Sequence, residues 1–374
     1  MDDKRHYAGL DIVRAIAALS VLGLHVLSTR VSAPRTVLGA IVAQLGSGVA
    51  IFFVLSGYLL YRPFARATLA AVPLPDRRRF WGNRVRRIVP AYWTALTFYL
   101  VIGLVSVTPA MGPLCYAFLQ AWVVHHQAEG IPPAWTLCSE MAFYLLLPFI
   151  AAKLDQRRGQ HAALIVRDLA VAIAALWVLR IIVVDIGTRI RPVIGEIDVT
   201  LVGTLDMFLI GMTLAVIVAD PDLQRRALRV VPRWRVAWPA ALVLYLAVAA
   251  PGSMYNIAQW SVIGRVWAMA IALLLIAPLV LRPHDAPSGS VAKAFAFLGL
   301  VSYGIYIWHY PLVTSLYHDG LASWARVVIS VAAAIAIGIA SYFIVERRFL
   351  KTRKSQQPPM DAPPVIEDSA AVVA

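Results

Sequence analysis

Ten apolar stretches, separated by short polar or basic loops, leave this chain one class of fold. They run roughly 8–28, 38–61, 88–107, 134–152, 163–184, 200–219, 236–250, 261–281, 294–317 and 323–346. A helix that crosses a bilayer needs about 20 mostly apolar residues. Several of these stretches reach that length, and the seventh is short. Lipid offers backbone N–H and C=O groups no partners, so such runs cross as helices, which satisfy themselves. At 60% hydrophobic and 14% charged over 374 residues, the apolar content exceeds what a water-soluble domain could bury. The sequence therefore predicts an all-α polytopic membrane protein of about ten transmembrane helices.

The basic residues predict its orientation. Six segments fall on one side under strict alternation: 1–7, 62–87, 153–162, 220–235, 282–293 and 347–374. They hold 25 of the 34 Lys and Arg, and loop 108–133 on the other side holds none. Positive charge gathers in cytoplasmic loops, so both termini are expected in the cytoplasm. The net charge of +14 is read as this topology signal. Anionic lipid headgroups or substrate phosphates are secondary partners, and no nucleic acid is implied. The first stretch is long and polar on one face, unlike a cleaved signal peptide, and is expected to stay as a span. Residues 112–124 are too short to cross and read as a re-entrant or interfacial piece. Residues 1–350 read as one membrane domain, with no separate soluble module. Residues 351–374 read as a disordered cytoplasmic tail. Cys115 and Cys138 have neither metal-ligand nor disulfide spacing, and no metal is expected.

Function is sought where polar groups sit in apolar runs, because ionisable side chains in a span face a protein interior or a wet cavity. The first stretch carries Asp11, Arg14, Ser20 and His25. Arg14 and His25 are eleven residues, about three turns, apart, which puts them on nearly one stripe and roughly 16 Å apart along the axis. Asp11 joins that face three residues before Arg14. Glu140, Asp206 and His309 are placed at depths similar to His25, and a His beside a carboxylate suits general-base work. The same groups could instead form a polar network that only satisfies itself. Cys138 and Ser139 are conceivable nucleophiles, although small residues in spans more often serve packing. Arg77 to Arg87 is the densest cationic segment. It could bind phosphate oxygens of a cytosolic donor or simply anchor the chain at lipid headgroups. Ser56-Gly57 permits close approach of a helix or a ligand. Tyr306 and His309 share a helix face and are the favoured site residues of the aromatic segment 302–311. No Gly-rich nucleotide loop or Walker motif is present.

Five stretches carry a resemblance to a known family. They are Leu10-Asp11 with Arg14 and, after ten residues, His25; Gly48 to Gly57; Arg84 to Trp93; Trp135 with Glu140, Tyr144 and Pro148; and Ser302 to Pro311. In this order the chain resembles the acyltransferase-3 family of membrane O-acyltransferases, from about Leu10 to Leu350. The resemblance implies an acyl group, usually acetyl, taken from cytosolic acyl-coenzyme A and passed to a hydroxyl of a sugar or another acceptor. Carried over position by position, it gives His25 and Arg14 as the functional pair of the first span, Arg84 and Arg87 as the family's Arg-x-x-Arg, and Glu140 as the acidic position of the Trp motif. Together with the polar residues read above, the expected catalytic residues are His25, Arg14 and Glu140. Arg84, Arg86, Arg87 and Ser56 are expected to hold acyl-coenzyme A, and Asp11, Tyr306, His309 and Asp206 to serve the acceptor. Departures exist: Asp11-Ile-Val-Arg14 replaces a common Asp-Gly-Leu-Arg, Met141 stands where a second acidic residue is frequent, and Glu346-Arg347-Arg348 replaces Glu-Arg-Pro. Some relatives append an extracytoplasmic hydrolase-like domain. Here donor and acceptor are expected to meet at the membrane domain.

The expected function is O-acylation, in the simplest case O-acetylation, of a carbohydrate such as an exopolysaccharide, lipopolysaccharide or other glycan, in a bacterial cytoplasmic membrane. O-acylation of a macrolide-type or other small natural product is the alternative within the class. A secondary transporter or flippase is the alternative outside it.

Overall fold

The structure is a computed structural model and describes residues 2–28, 36–157, 161–186, 199–248, 262–316 and 323–351. Among these residues there is no strand. Fifteen α-helices follow in order: α1 (Asp2–Ser28), α2 (Val37–Gln44), α3 (Ser47–Leu69), α4 (Arg77–Val101), α5 (Gly112–Tyr116), α6 (Trp135–Leu154), α7 (Ala162–Ile186), α8 (Leu201–Ala219), α9 (Pro221–Val230), α10 (Trp234–Val248), α11 (Val262–Leu281), α12 (Ser290–Leu300), α13 (Ser302–Ser315), α14 (Ser323–Ser341) and α15 (Arg347–Lys351). A π-helical turn, Tyr342–Glu346, joins α14 to α15. The expected tail lies outside the described residues from 352 onward.

Among the described residues, seven helical segments are long and apolar enough to cross a membrane, and eight if α12 and α13 count as one span. Each of the ten apolar stretches carries a helix, yet two fall short of that test. Helix α10 has only 15 residues. Helix α4 starts at Arg77, eleven residues before its apolar stretch, and ends at Val101. The Asp76 carboxylate caps it by accepting the Arg79 N–H at 2.7 Å. Arginine is a good helix former, so the cationic segment extends the helix instead of forming a loop.

Close helix contacts set the frame. Helices α3 and α8 touch through glycine: a Cβ on Gly57 would lie 2.1 Å from the Phe208 carbonyl oxygen, and one on Gly211 2.0 Å from that of Val54. Small residues let backbones approach where lipid supplies no hydrophobic drive. Phe208 stacks on Phe143 at 4.1 Å and tilts against Phe53 at 4.7 Å, which ties α3, α6 and α8 together. Helix α1 packs against α3, α12 and α13.

Two features shape the interior. Helices α12 and α13 meet at a bend of 68°. The break falls between Gly299 and Ser302, residues typical of kinks. Segment 112–124 folds back on α4: α5 and a 3₁₀ turn at Gln120–Trp122 are held by the Tyr92 hydroxyl, which donates to the Cys115 carbonyl at 3.0 Å, and by the Trp93 indole, which donates to the Tyr116 carbonyl at 2.9 Å.

Candidate active site

A cavity of about 110 Å³ opens among α1, α3, α4, α6 and α13. It gathers residues distant in sequence: Arg14 from α1, Phe52 and Ser56 from α3, Arg84 and Arg87 from α4, Thr136, Glu140 and Tyr144 from α6, and Ser302, Tyr303 and Tyr306 from α13. Six of the eleven expected site residues are therefore neighbours here, and the other five lie elsewhere.

The local sequence explains the placement. Arg84 and Arg87 are three apart and share a face of α4. Arg86 points about 100° away from Arg87 along a 3.6-residue helix; it is exposed and does not line the cavity. Of the three expected arginines, Arg84 and Arg87 line the cavity. Asp11 is also displaced from the cavity lining: its carboxylate pairs with the Arg14 guanidinium one turn away. It accordingly orients Arg14.

Glu140 is bonded differently from expectation. Its Oε1 accepts the Ser56 hydroxyl at 2.9 Å and the Tyr144 hydroxyl one turn along α6. His25 is not its partner. The imidazole of His25 instead meets His309, with Nδ1 of His25 3.0 Å from Nε2 of His309. Nδ1 of His25 is also 2.9 Å from the Val21 carbonyl, and Nδ1 of His309 is 2.6 Å from the Tyr306 carbonyl. Tyr306 links the two regions. Its ring lines the cavity and its hydroxyl donates to the Pro133 carbonyl at 2.9 Å, beside Thr136 Oγ1 at 2.7 Å. Its carbonyl faces His309. Tyr310 packs edge-on to His25, ring centroids 4.9 Å apart.

Asp206 belongs to a separate knot. Its Oδ1 accepts from buried Arg265 at 3.1 Å and its Oδ2 from the Trp177 indole at 3.1 Å. It ties α7, α8 and α11 and does not line the cavity. The depth argument placed it level with the other groups, but depth does not fix which helix face is inward. Cys138 donates to the Ala134 carbonyl at 3.4 Å, and Ser139 to the Val199 carbonyl at 3.0 Å; neither lines the cavity. Tyr144, Thr136 and Ser302 join the lining without having been assigned a role. The four-residue offset of Tyr144 from Glu140 is a signal for the first, since such pairs meet on a helix. Nothing local signals the other two.

The cavity combines three cationic side chains with one carboxylate and an aromatic wall. Arginine forks suit phosphate oxygens, and the Glu140 Oε2 bonds no described residue, which leaves an acceptor for an N–H group. Among the described residues no cluster of three or more His, Cys, Asp or Glu is placed to hold a metal ion.

A family model described as an acyltransferase domain matches residues 7–345. The chain is similar to O-acetyltransferase OatA of Staphylococcus aureus (strain MRSA252), with 24% identity over 95% of this chain and 61% of the relative. It is 25% identical to peptidoglycan O-acetyltransferase OatA of Listeria monocytogenes over 92% of this chain and 56% of the relative. It is also 25% identical to putative peptidoglycan O-acetyltransferase YrhL of Bacillus subtilis (strain 168), over 92% of this chain and 55% of the relative. The chain thus spans less than two thirds of the length of these relatives. No solved structure matches it.

Proposed function

The chain belongs to the acyltransferase-3 family, and from that premise we propose that it is an integral-membrane O-acyltransferase. It moves an acyl group, in the simplest case acetyl, from cytosolic acyl-coenzyme A to a hydroxyl of a cell-surface glycan. The observation that carries this reading is the single cavity that gathers Arg14, Arg84 and Arg87 at a carboxylate, with a histidine pair one turn beyond its Tyr306 wall. Both termini lie in the cytoplasm of a bacterium, the domain sits in the cytoplasmic membrane, and ten helices cross it. The charge bias of the loops supports that orientation.

Arg84 and Arg87 bind the phosphates of the donor, with Arg14 held ready by Asp11. The arm of coenzyme A runs along the cavity, where Glu140 Oε2 accepts one of its amide N–H groups. Arg14 and His25 lie about 16 Å apart along α1 by helical rise, so an extended arm brings the thioester toward His25. His25 takes the proton from the acceptor hydroxyl. The acceptor oxygen attacks the thioester carbon, the C–S bond breaks, and the departing thiolate takes the proton from His25. An ester and free coenzyme A result.

The relatives' names point to peptidoglycan as the acceptor to try first. The test uses the full chain in lipid nanodiscs with isotope-labelled acetyl-coenzyme A and peptidoglycan fragments, read by mass spectrometry. Label is expected in the glycan. The His25→Ala variant is expected to fold and insert but transfer nothing; normal acetylation by that variant would sink the mechanism. Movement of glycan across vesicles without consumption of acetyl-coenzyme A would decide for a transporter.

A further inference from the structure

We infer that His309 is a positioning residue: it fixes the tautomer of His25, makes Nε2 of His25 the reactive nitrogen, and shares the charge that His25 acquires. This rests on the acyl-transfer reading and concerns how its base is prepared.

Donor and acceptor capacity fixes where the protons sit. A neutral imidazole has one N–H donor and one bare nitrogen acceptor. A backbone carbonyl only accepts. Nδ1 of His309 lies 2.6 Å from the Tyr306 carbonyl, so the His309 proton is on Nδ1. Its Nε2 is then the acceptor. That atom lies 3.0 Å from Nδ1 of His25. The His25 proton must therefore be on Nδ1, where it also faces the Val21 carbonyl at 2.9 Å. Both neighbours of that nitrogen accept, so the assignment is doubly determined. Nε2 of His25 is left with its lone pair and bonds no described residue.

The chain of bonds does more than orient. When Nε2 of His25 takes the acceptor proton, His25 becomes an imidazolium. Its Nδ1 proton can then move toward Nε2 of His309, whose own Nδ1–H remains on the Tyr306 carbonyl. The charge is spread over two rings, with no carboxylate needed. His309 is buried, so no bulk water competes for that bond. The carboxylate expected beside His25 is spent on Ser56 and Tyr144 instead.

The test separates positioning from packing. In His309→Gln the side-chain carbonyl can still accept the His25 Nδ1 proton; in His309→Leu only the Val21 carbonyl, at 2.9 Å, remains to accept it. Wild type and both variants, as full chains in nanodiscs, are assayed for release of coenzyme A from acetyl-coenzyme A with a chitooligosaccharide as probe acceptor. The Leu variant is expected to lose roughly 100-fold in kcat, the lower end of general-base effects, with KM for acetyl-coenzyme A unchanged. The Gln variant is expected to stay within about 10-fold of wild type by the tenfold-per-1.4 kcal/mol relation. Nitrogen-15 NMR of histidine-labelled protein, assigned by loss of the His25 signals in His25→Asn, should show Nε2 of His25 unprotonated in wild type and a measurably larger protonated Nε2 fraction in the Leu variant, where Val21 alone holds the Nδ1 proton. Equal kcat in wild type and the Leu variant would overturn the inference, as would protonated Nε2 in wild type. If wild type released no coenzyme A, the acyl-transfer reading itself would fall, and the NMR result would still decide the tautomer.

Discussion

Asp206 offers a direct contest between a ligand group and a structural one. Asp206→Asn keeps an oxygen for the Trp177 indole but removes the charge that faces Arg265, whose side chain is 1% exposed. Removing one member of a buried ion pair costs about 3–5 kcal/mol. A cost of that size lowers Tm by roughly 6–10 °C at about 2 °C per kcal/mol, the scale for large domains. Thermal unfolding of the purified protein in detergent, followed by tryptophan fluorescence, reads this directly. Replacing both partners with apolar residues, Asp206→Leu with Arg265→Met, should restore most of the loss, because a well-packed apolar pair often equals or exceeds a buried ion pair. The surviving folded fraction of Asp206→Asn should retain its KM for both substrates. An unchanged Tm combined with a several-fold higher KM for the acceptor would refute the structural assignment and return Asp206 to the substrate.

Three further outcomes follow from the geometry. Arg87→Ala should raise KM for acetyl-coenzyme A about 10-fold, since a hydrogen bond to a charged group is worth about 1.5–3 kcal/mol; Arg86→Ala, off the cavity, should change it less than about 2-fold by the same argument. Steady-state kinetics with varied donor check both. Tyr144→Phe removes one of the two hydroxyl donors on Glu140 Oε1 and should weaken donor binding by about 1 kcal/mol, roughly 5-fold in KM; an unchanged KM would mean that Glu140 does not need this brace. In the loop 102–134, the His126 ring at 2.5 Å, and then the Thr108 N–H at 2.9 Å, hold the Glu129 carboxyl below its ordinary value of 4.5. A depressed folded pKa gives stability that is present above the unfolded value and lost as pH falls through the folded one. The protection of the Thr108 amide against hydrogen exchange, relative to an unstructured amide at the same pH, should accordingly hold at neutral pH and fall only below pH 4.5, and Glu129→Ala should remove it at all pH values.

Much of the fold was legible because lipid imposes a severe rule: apolar runs of about 20 residues become helices. The start of α4 was missed because hydropathy marks where a helix is greasy, whereas Asp76 and the arginines decide where it begins. The cavity was legible in part. Arg14, Ser56, Arg84, Arg87, Glu140 and Tyr306 converge as their chemistry suggested. Their partners did not follow, because side-chain pairing across helices depends on rotation about each axis, which sequence depth leaves open. His309 was placed near His25, but its bond to His25, and the transfer of Glu140 to Ser56, required three-dimensional packing.

The 68° bend between α12 and α13 carries a further consequence. With 11 and 14 residues, these helices are only about 16 and 21 Å long, and neither alone crosses a hydrocarbon core of about 30 Å. If the pair crosses, its joint lies near mid-depth. A broken backbone at that depth is tolerated only against protein or water, and Ser302 and Tyr303, just past the joint, face the cavity. On the proposed reading, the bend works as a depth gauge for the cavity. A donor whose phosphates rest at Arg84 and Arg87 would carry its reactive carbon toward His25 on a tether of roughly 16 Å, the helical rise from Arg14 to His25. Selection among thioesters would then depend first on tether length, and only afterwards on the acyl group at its tip.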